Sequence, residues 1–166
     1  FVESGKIKKG KAIDLGCGLG TNSIYLAQKG FDVIGLDISK TALEHAAKRS
    51  RKEGLDIKFI HGFAHKLDFP GKTFTLVFDR GCFHHILPEL RKDYIESVHR
   101  VLENKGLLYI ECFSTKCAFD YGYKFSEDDI KKLFENKFKI LDLDLIEHKE
   151  PQGNKVTLNS VLMEKK

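Results

Sequence analysis

A chain of 166 residues is long enough for one domain with its own apolar core and short for two. Its 42% apolar and 31% charged residues and its net charge of +4 have the balance of a globular protein, which excludes a disordered chain and a bundle of membrane spans. The mild charge does not select nucleic acid as the leading partner: the run Lys6, Lys8, Lys9, Lys11 reads as a solvated edge, with no base-reading motif beside it.

Strand-like and helix-like patterns alternate along the chain. Ala12 to Leu15 is a short apolar strand ending in glycines. Thr21 to Lys29 follows as a helix opened by Thr/Asn/Ser and closed by Gly30. Val33 to Asp37 is a second strand, and Lys40 to Glu53 a second helix with Ala42, Leu43, Ala46 and Ala47 on one face. Ile57 to His61 and Phe74 to Asp79 are strands three and four. Pro88 to Leu102 has helical spacing, and Leu107 to Phe113 is a fifth strand. Ser126 with Asp129 marks the start of a helix carrying Ile130, Leu133 and Phe134. Leu141, Leu143 and Leu145 then alternate with aspartates, and a turn over Pro151 to Lys155 leads into Val156 to Met163, so these two strands pair antiparallel. Near-continuous apolar strands separated by helices predict an α/β fold: a doubly wound, mostly parallel sheet ending in an antiparallel hairpin.

The four cysteines, Cys17, Cys82, Cys112 and Cys117, contain no CxxC pair and read as reduced thiols of a cytoplasmic protein, with no metal site. Phe1 to Lys11 lacks the segment order of a signal peptide, and the chain opens on Phe1 as though partway into a natural sequence.

The strongest local signal is Asp14-Leu15-Gly16-Cys17-Gly18-Leu19-Gly20-Thr21, at a strand end just before a helix. Glycines let the backbone turn tightly and approach a ligand closely. A dinucleotide fingerprint needs its third glycine three residues after the second; here Thr21 holds that place. Asp14 at the mouth of the loop would repel a diphosphate and suits a ligand bearing an ammonium group. Asp37, at the end of the second strand, has two acceptor oxygens for the hydroxyls of a ribose; the plainer alternative is that it helps cap the helix beginning at Lys40.

The segment Ala12 to Ser50, AIDLGCGLGTNSIYLAQKGFDVIGLDISKTALEHAAKRS, resembles the core of class I S-adenosylmethionine-dependent methyltransferases. With FDRGCFHHI (Phe78 to Ile86), it is similar to the small-molecule branch that includes the tellurite-resistance and thiol or thiopurine enzymes. The resemblance runs over nearly the whole chain. It implies a single domain over residues 1–166, a seven-stranded sheet, and an N-terminal lid segment missing from this sequence. It also implies S-adenosylmethionine as cofactor and S-adenosylhomocysteine as product. Asp14 and Gly16 would contact the methionine part, with Cys17, Gly18 and Asn22 along the same bend. Asp37 would hold the ribose and Ile38 would pack on the adenine. Family members often carry Gly-Asp after the third strand; this chain has Gly62-Phe63-Ala64, so Phe63 would stack on the ring or pack in the core, and an amide near Ala64 would meet an adenine nitrogen.

Asp79, Arg80 and the residues through His85 would line the crevice beside the sulfonium, Asp79 and Arg80 as cofactor contacts. No Asn/Asp-Pro-Pro-Tyr/Phe turn stands there, which argues against amino methylation of nucleic acid. Methyl transfer is an in-line displacement in which orientation supplies roughly 7–11 kcal/mol. An acceptor thiol or hydroxyl also needs a base, for which His84 and His85 are the candidates, with at most one of them facing the site. Tyr121 and Tyr123 read either as a substrate wall or as packing residues. The acceptor expected is a thiol, a metalloid oxyanion or a hydroxylated metabolite. The alternatives are an RNA or protein methyltransferase and a nonenzymatic S-adenosylmethionine-binding module.

Overall fold

The computed structural model describes residues 7–118, 121–149 and 155–166; Lys6 of the basic run and Pro151 to Asn154 of the expected turn lie outside them. Strands and helices alternate as β1 (Lys11–Leu15), α1 (Thr21–Gln28), β2 (Asp32–Asp37), α2 (Lys40–Lys52), β3 (Lys58–His61), β4 (Phe74–Arg80), α3 (Arg91–Val101) and β5 (Leu102–Phe113). They are followed by α4 (Glu127–Phe134), β6 (Phe138–Lys149) and β7 (Lys155–Lys165). Local chemistry starts the helices: the Ser39 hydroxyl accepts from Ala42 N–H at 3.3 Å, and Ser126 and Asp129 form a reciprocal capping box.

The strands form one sheet in the order β3-β2-β1-β4-β5-β7-β6. β1 to β5 pair in parallel, while β7 runs antiparallel to both β5 and β6. This is the expected mostly parallel seven-stranded sheet, with the added feature that the last strand inserts between two earlier ones. One face buries Ile13, Val77, Ile110 and Val161 against Val98, Ile130 and Phe134 of α3 and α4. The other buries Ala12, Leu76 and Phe78 with Ile24 and Leu26 of α1. Strand order reverses between β1 and β4, so their following loops leave on opposite faces and open a crevice at the carboxyl ends of the strands.

The differences from the expected elements are local. Pro88–Leu90 is a separate tight turn, α3 begins at Arg91, and Leu102 already belongs to β5, where it pairs with Phe74. Pairing then slips, Leu76 opposing Leu107, and Lys105 takes a left-handed φ of 60° in the inserted residues. β6 and β7 extend beyond the apolar alternation because backbone pairing continues from Phe138–Lys165 to Lys149–Lys155.

Phe83 is the packing anchor of the segment after β4. It is fully buried, with ring centroids 5.1 Å from Tyr94, 5.0 Å from Phe125 and 5.3 Å from Phe134, so it joins that segment to α3 and α4. Phe83→Ala should lower unfolding free energy by about 3–5 kcal/mol in urea titrations. A loss below about 1 kcal/mol would show that this cluster does not fasten the segment.

Candidate cofactor and acceptor site

The bend after β1 follows from its glycines. Gly16, Gly18 and Gly20 have φ of 64°, 52° and 77°, a region that side chains with a Cβ rarely adopt. At Gly16 a Cβ would also stand 2.7 Å from that of Cys82, so the bend and the segment after β4 meet only because it is absent. The bend is fastened to β2 by Cys17 N–H donating to Leu36 carbonyl (3.0 Å) and Gly18 N–H donating to Asp37 Oδ2 (2.8 Å). Asp37 Oδ1 accepts from Ser39 N–H at 2.8 Å. Asp37 therefore does brace the start of α2, and each of its oxygens retains a lone pair for a ligand.

Asp37 lines a crevice of about 470 Å³ together with Gly16, Ile38, Phe63, Ala64, Cys82 and His85. Its rim is apolar and open: Ile38 is 64% exposed, Phe63 52% and Leu87 46%. Three large apolar side chains left in solvent around one cleft form a slot for a flat, carbon-rich ligand.

Of the residues expected at the site, Asp14, Cys17, Gly18, Asn22, Asp79, Arg80 and His84 are not in the walls of this crevice. Asp14 lies beneath the bend, not at its mouth: it is buried and accepts from the Ser23 hydroxyl at 2.6 Å. Burial pushes its carboxyl up from 3.8 to about 7, with Asp79 and Asp37 adding repulsion and Ser23 opposing the rise. Asp79 is fully buried and organises the next turn. Its Oδ1 accepts from Cys82 N–H (2.9 Å) and Phe83 N–H (3.0 Å), and its Oδ2 from the Tyr94 hydroxyl (2.7 Å). Burial lifts its carboxyl to about 6 against those three bonds. Arg80 points to the other sheet face, where its Nε meets Glu111 Oε2 at 2.6 Å. Cys17 is buried.

The two histidines separate cleanly. His84 is buried, stacks on Phe113 at 3.8 Å, and its Nδ1 accepts from Phe113 N–H at 3.3 Å. Burial, with His85 adding to it, lowers its pKa to about 4, so this ring is neutral and structural at physiological pH. His85 is exposed and lines the crevice. Sequence reasoning missed Ser23, Tyr94, Leu87 and Leu90, because nothing in their spacing separates them from ordinary helix and loop residues. Tyr121 packs edge-on against Phe113 at 5.2 Å, and Tyr123 N–H donates to the His84 carbonyl at 2.7 Å. Among the described residues no helix is long and apolar enough to cross a membrane, and no group of three or more His, Cys, Asp or Glu is placed to hold a metal ion.

A glycine bend tied to a carboxylate, beside an apolar slot at a switch point, defines the nucleoside-binding class of Rossmann-like α/β proteins. Residues 12–106 match the family model described as a methyltransferase domain. An uncharacterised methyltransferase of Schizosaccharomyces pombe is 32% identical over 115 residues, 69% of this chain and 78% of that protein. The 2-heptyl-1-hydroxyquinolin-4(1H)-one methyltransferase of Mycobacteroides abscessus is 29% identical over 152 residues, 86% of this chain and 64% of that one. A 23S rRNA (uracil(747)-C(5))-methyltransferase of Pyrococcus abyssi is 32% identical over 113 residues, 67% of this chain but 25% of its own length. In structure, a SAM-dependent methyltransferase of Methanosarcina mazei superposes with a TM-score of 0.88 at 22% identity, covering 99% of this chain and 96% of that one. The chain belongs to this methyltransferase family: it is an S-adenosylmethionine-dependent enzyme, which sets aside the nonenzymatic module.

Asp14 has a raised carboxyl, so protonation favours the fold. That contribution is complete below about pH 4 and is lost as pH rises through about 7. Asn at this position mimics the protonated acid and can still accept from Ser23. Asp14→Asn should match the wild type in cofactor-free stability near pH 4 and exceed it by more than about 1 kcal/mol at pH 8, measured by urea unfolding. A variant less stable than wild type at pH 8 would contradict this.

Proposed function

We propose that this enzyme methylates a small-molecule acceptor (a thiol, a metalloid oxyanion or a hydroxylated metabolite) as a single cytoplasmic domain. The observation that carries the reading is the crevice itself, whose lining combines Asp37, His85 and the apolar Ile38, Phe63 and Leu87. The residues present fit S-adenosylmethionine. Asp37 has a free acceptor site on each oxygen for the ribose hydroxyls, and Ile38 and Phe63 offer two apolar walls for the adenine. The backbone of the 62–64 segment, which lines the crevice in place of the family's carboxylate, meets the base edge. Gly16 and Cys82 border the methionine part, above the buried carboxylates of Asp14 and Asp79, whose negative charge favours a cationic ligand.

When bound, the cofactor supplies an activated methyl group. The chain's own residues position the acceptor, exclude water and take its proton. His85 is the group that takes the proton, since an imidazole in the crevice wall can accept it from an acceptor S–H or O–H as the new bond forms. The similarity to a uracil methyltransferase of ribosomal RNA favours RNA as the second reading.

Calorimetry with S-adenosylmethionine, S-adenosylhomocysteine and NAD tests the site, followed by a radiolabelled methyl-transfer screen over small acceptors and RNA. Asp37→Ala should weaken both sulfur ligands by more than tenfold, the scale of a hydrogen bond to a charged group of about 1.5 kcal/mol or more. Unchanged affinity would remove Asp37 from the ribose contact. His85→Gln should still bind S-adenosylhomocysteine and lose more than a hundredfold in kcat on a hydroxyl or thiol acceptor; undiminished turnover would exclude His85 as the base. Methyl transfer to RNA alone would replace the small-molecule reading with the second one.

A further inference from the structure

The geometry points to His65 as the side chain that reads the base of the bound nucleoside, and to a site that takes hypoxanthine as readily as adenine. This rests on the cofactor reading above and deepens it at the base end of the crevice. Asp37 and His85 already have parts in that reading; His65 is the remaining imidazole of the same wall. A short chain of bonds, starting at the ribose carboxylate's own residue, sets its position. Gly62 N–H donates to the Asp37 carbonyl at 3.0 Å, so the segment after β3 is tied to the end of β2. Lys66 N–H donates to the Phe63 carbonyl at 3.0 Å and closes a turn in which Ala64 is buried. The Ser97 hydroxyl donates to the His65 carbonyl at 3.0 Å and fastens that turn to α3. The backbone of His65 is thus held, while its ring is half-buried and its nitrogens meet no hydrogen-bond partner among the described residues.

The turn sets the rings of Phe63 and His65 together, 5.4 Å between centroids and tilted by 46°. With Phe63 against the face of the base, the imidazole adjoining it on the same wall is placed for the rim of that base, where its polar atoms lie. The residue type then has a chemical consequence. Adenine presents an amino donor beside a ring-nitrogen acceptor, and hypoxanthine presents the reverse, a carbonyl acceptor beside an N–H donor. A carboxylate only accepts, so it would pair with the first and repel the carbonyl of the second. A neutral imidazole carries one donor and one acceptor nitrogen, and a change of tautomer lets the same ring serve either edge. Strong rejection of an analogue comes from leaving a polar group of the site unpaired, and a ring that pairs with both bases leaves none.

The test is calorimetry with S-adenosylhomocysteine and S-inosylhomocysteine, which differ only in the base. Wild type should bind the two with affinities that differ by less than about fivefold. His65→Phe keeps a ring against Phe63 and removes both nitrogens, and it should weaken each ligand by about fivefold or more. His65→Glu leaves only acceptors, and it should bind the inosyl ligand at least about tenfold more weakly than the adenosyl one. Asp37→Ala, run beside them, should weaken both ligands by the same factor, since the ribose is common to them. A wild-type preference for adenine above about fivefold, a His65→Phe variant that binds both ligands as wild type does, or a His65→Glu variant that still treats them alike overturns the assignment of His65. Failure of wild type to bind either ligand would instead overturn the cofactor site on which the assignment stands.

Discussion

The hydrogen bond from Gly18 N–H to Asp37 joins the first bend of the chain to the end of the second strand, and the site is organised around it. A carboxylate at a strand end would otherwise be a mobile charge. Here one N–H from the bend and one from Ser39 fix both its oxygens, so its remaining lone pairs have set directions. The bend gains as much: with left-handed glycines on either side, it has few other backbone partners, and Asp37 selects one shape for it. Crevice and fold share this constraint, which is why the crevice can be wide and apolar without losing definition.

Below that surface, charge is handled differently. Asp14 and Asp79 are buried and answer to Ser23, Tyr94 and two backbone amides. Their desolvation is incompletely offset, and both carboxyls are pushed toward neutrality. A cation above them lowers that cost, whereas a diphosphate would add to it. On the proposed reading, a positively charged ligand is favoured by the carboxyls under the floor and not by side chains that touch it in the crevice.

The architecture was legible in the sequence because its signals are local and redundant: apolar strands, a glycine bend, and Ser126 with Asp129 at a helix start. The ends of elements were not, because β6 and β7 extend by backbone pairing that polar side chains tolerate, and Leu102 was drawn into β5 by its partner Phe74. That Gly16, Asp37, Ile38, Phe63, Ala64 and His85 come together around one crevice could be anticipated from their positions at the ends of successive strands. Side-chain direction could not. Asp79 and Arg80 are adjacent in β4 and go to opposite faces, one into the core and one onto a carboxylate of β5. His84 and His85 divide as extended chain would divide them, but by a tight turn over Phe83–His85 that buries one ring against Phe113. Such outcomes depend on partners distant in sequence, and a single chain's periodicity carries no record of them.

The place of β7 has a consequence for folding. It follows β5 and β6 in sequence, yet it occupies an interior position, hydrogen-bonded on both sides by them. Until it docks, β5 presents an unpaired margin and β6 has nothing to join, and a chain paused at that point carries two raw borders of the kind that recruit foreign strands.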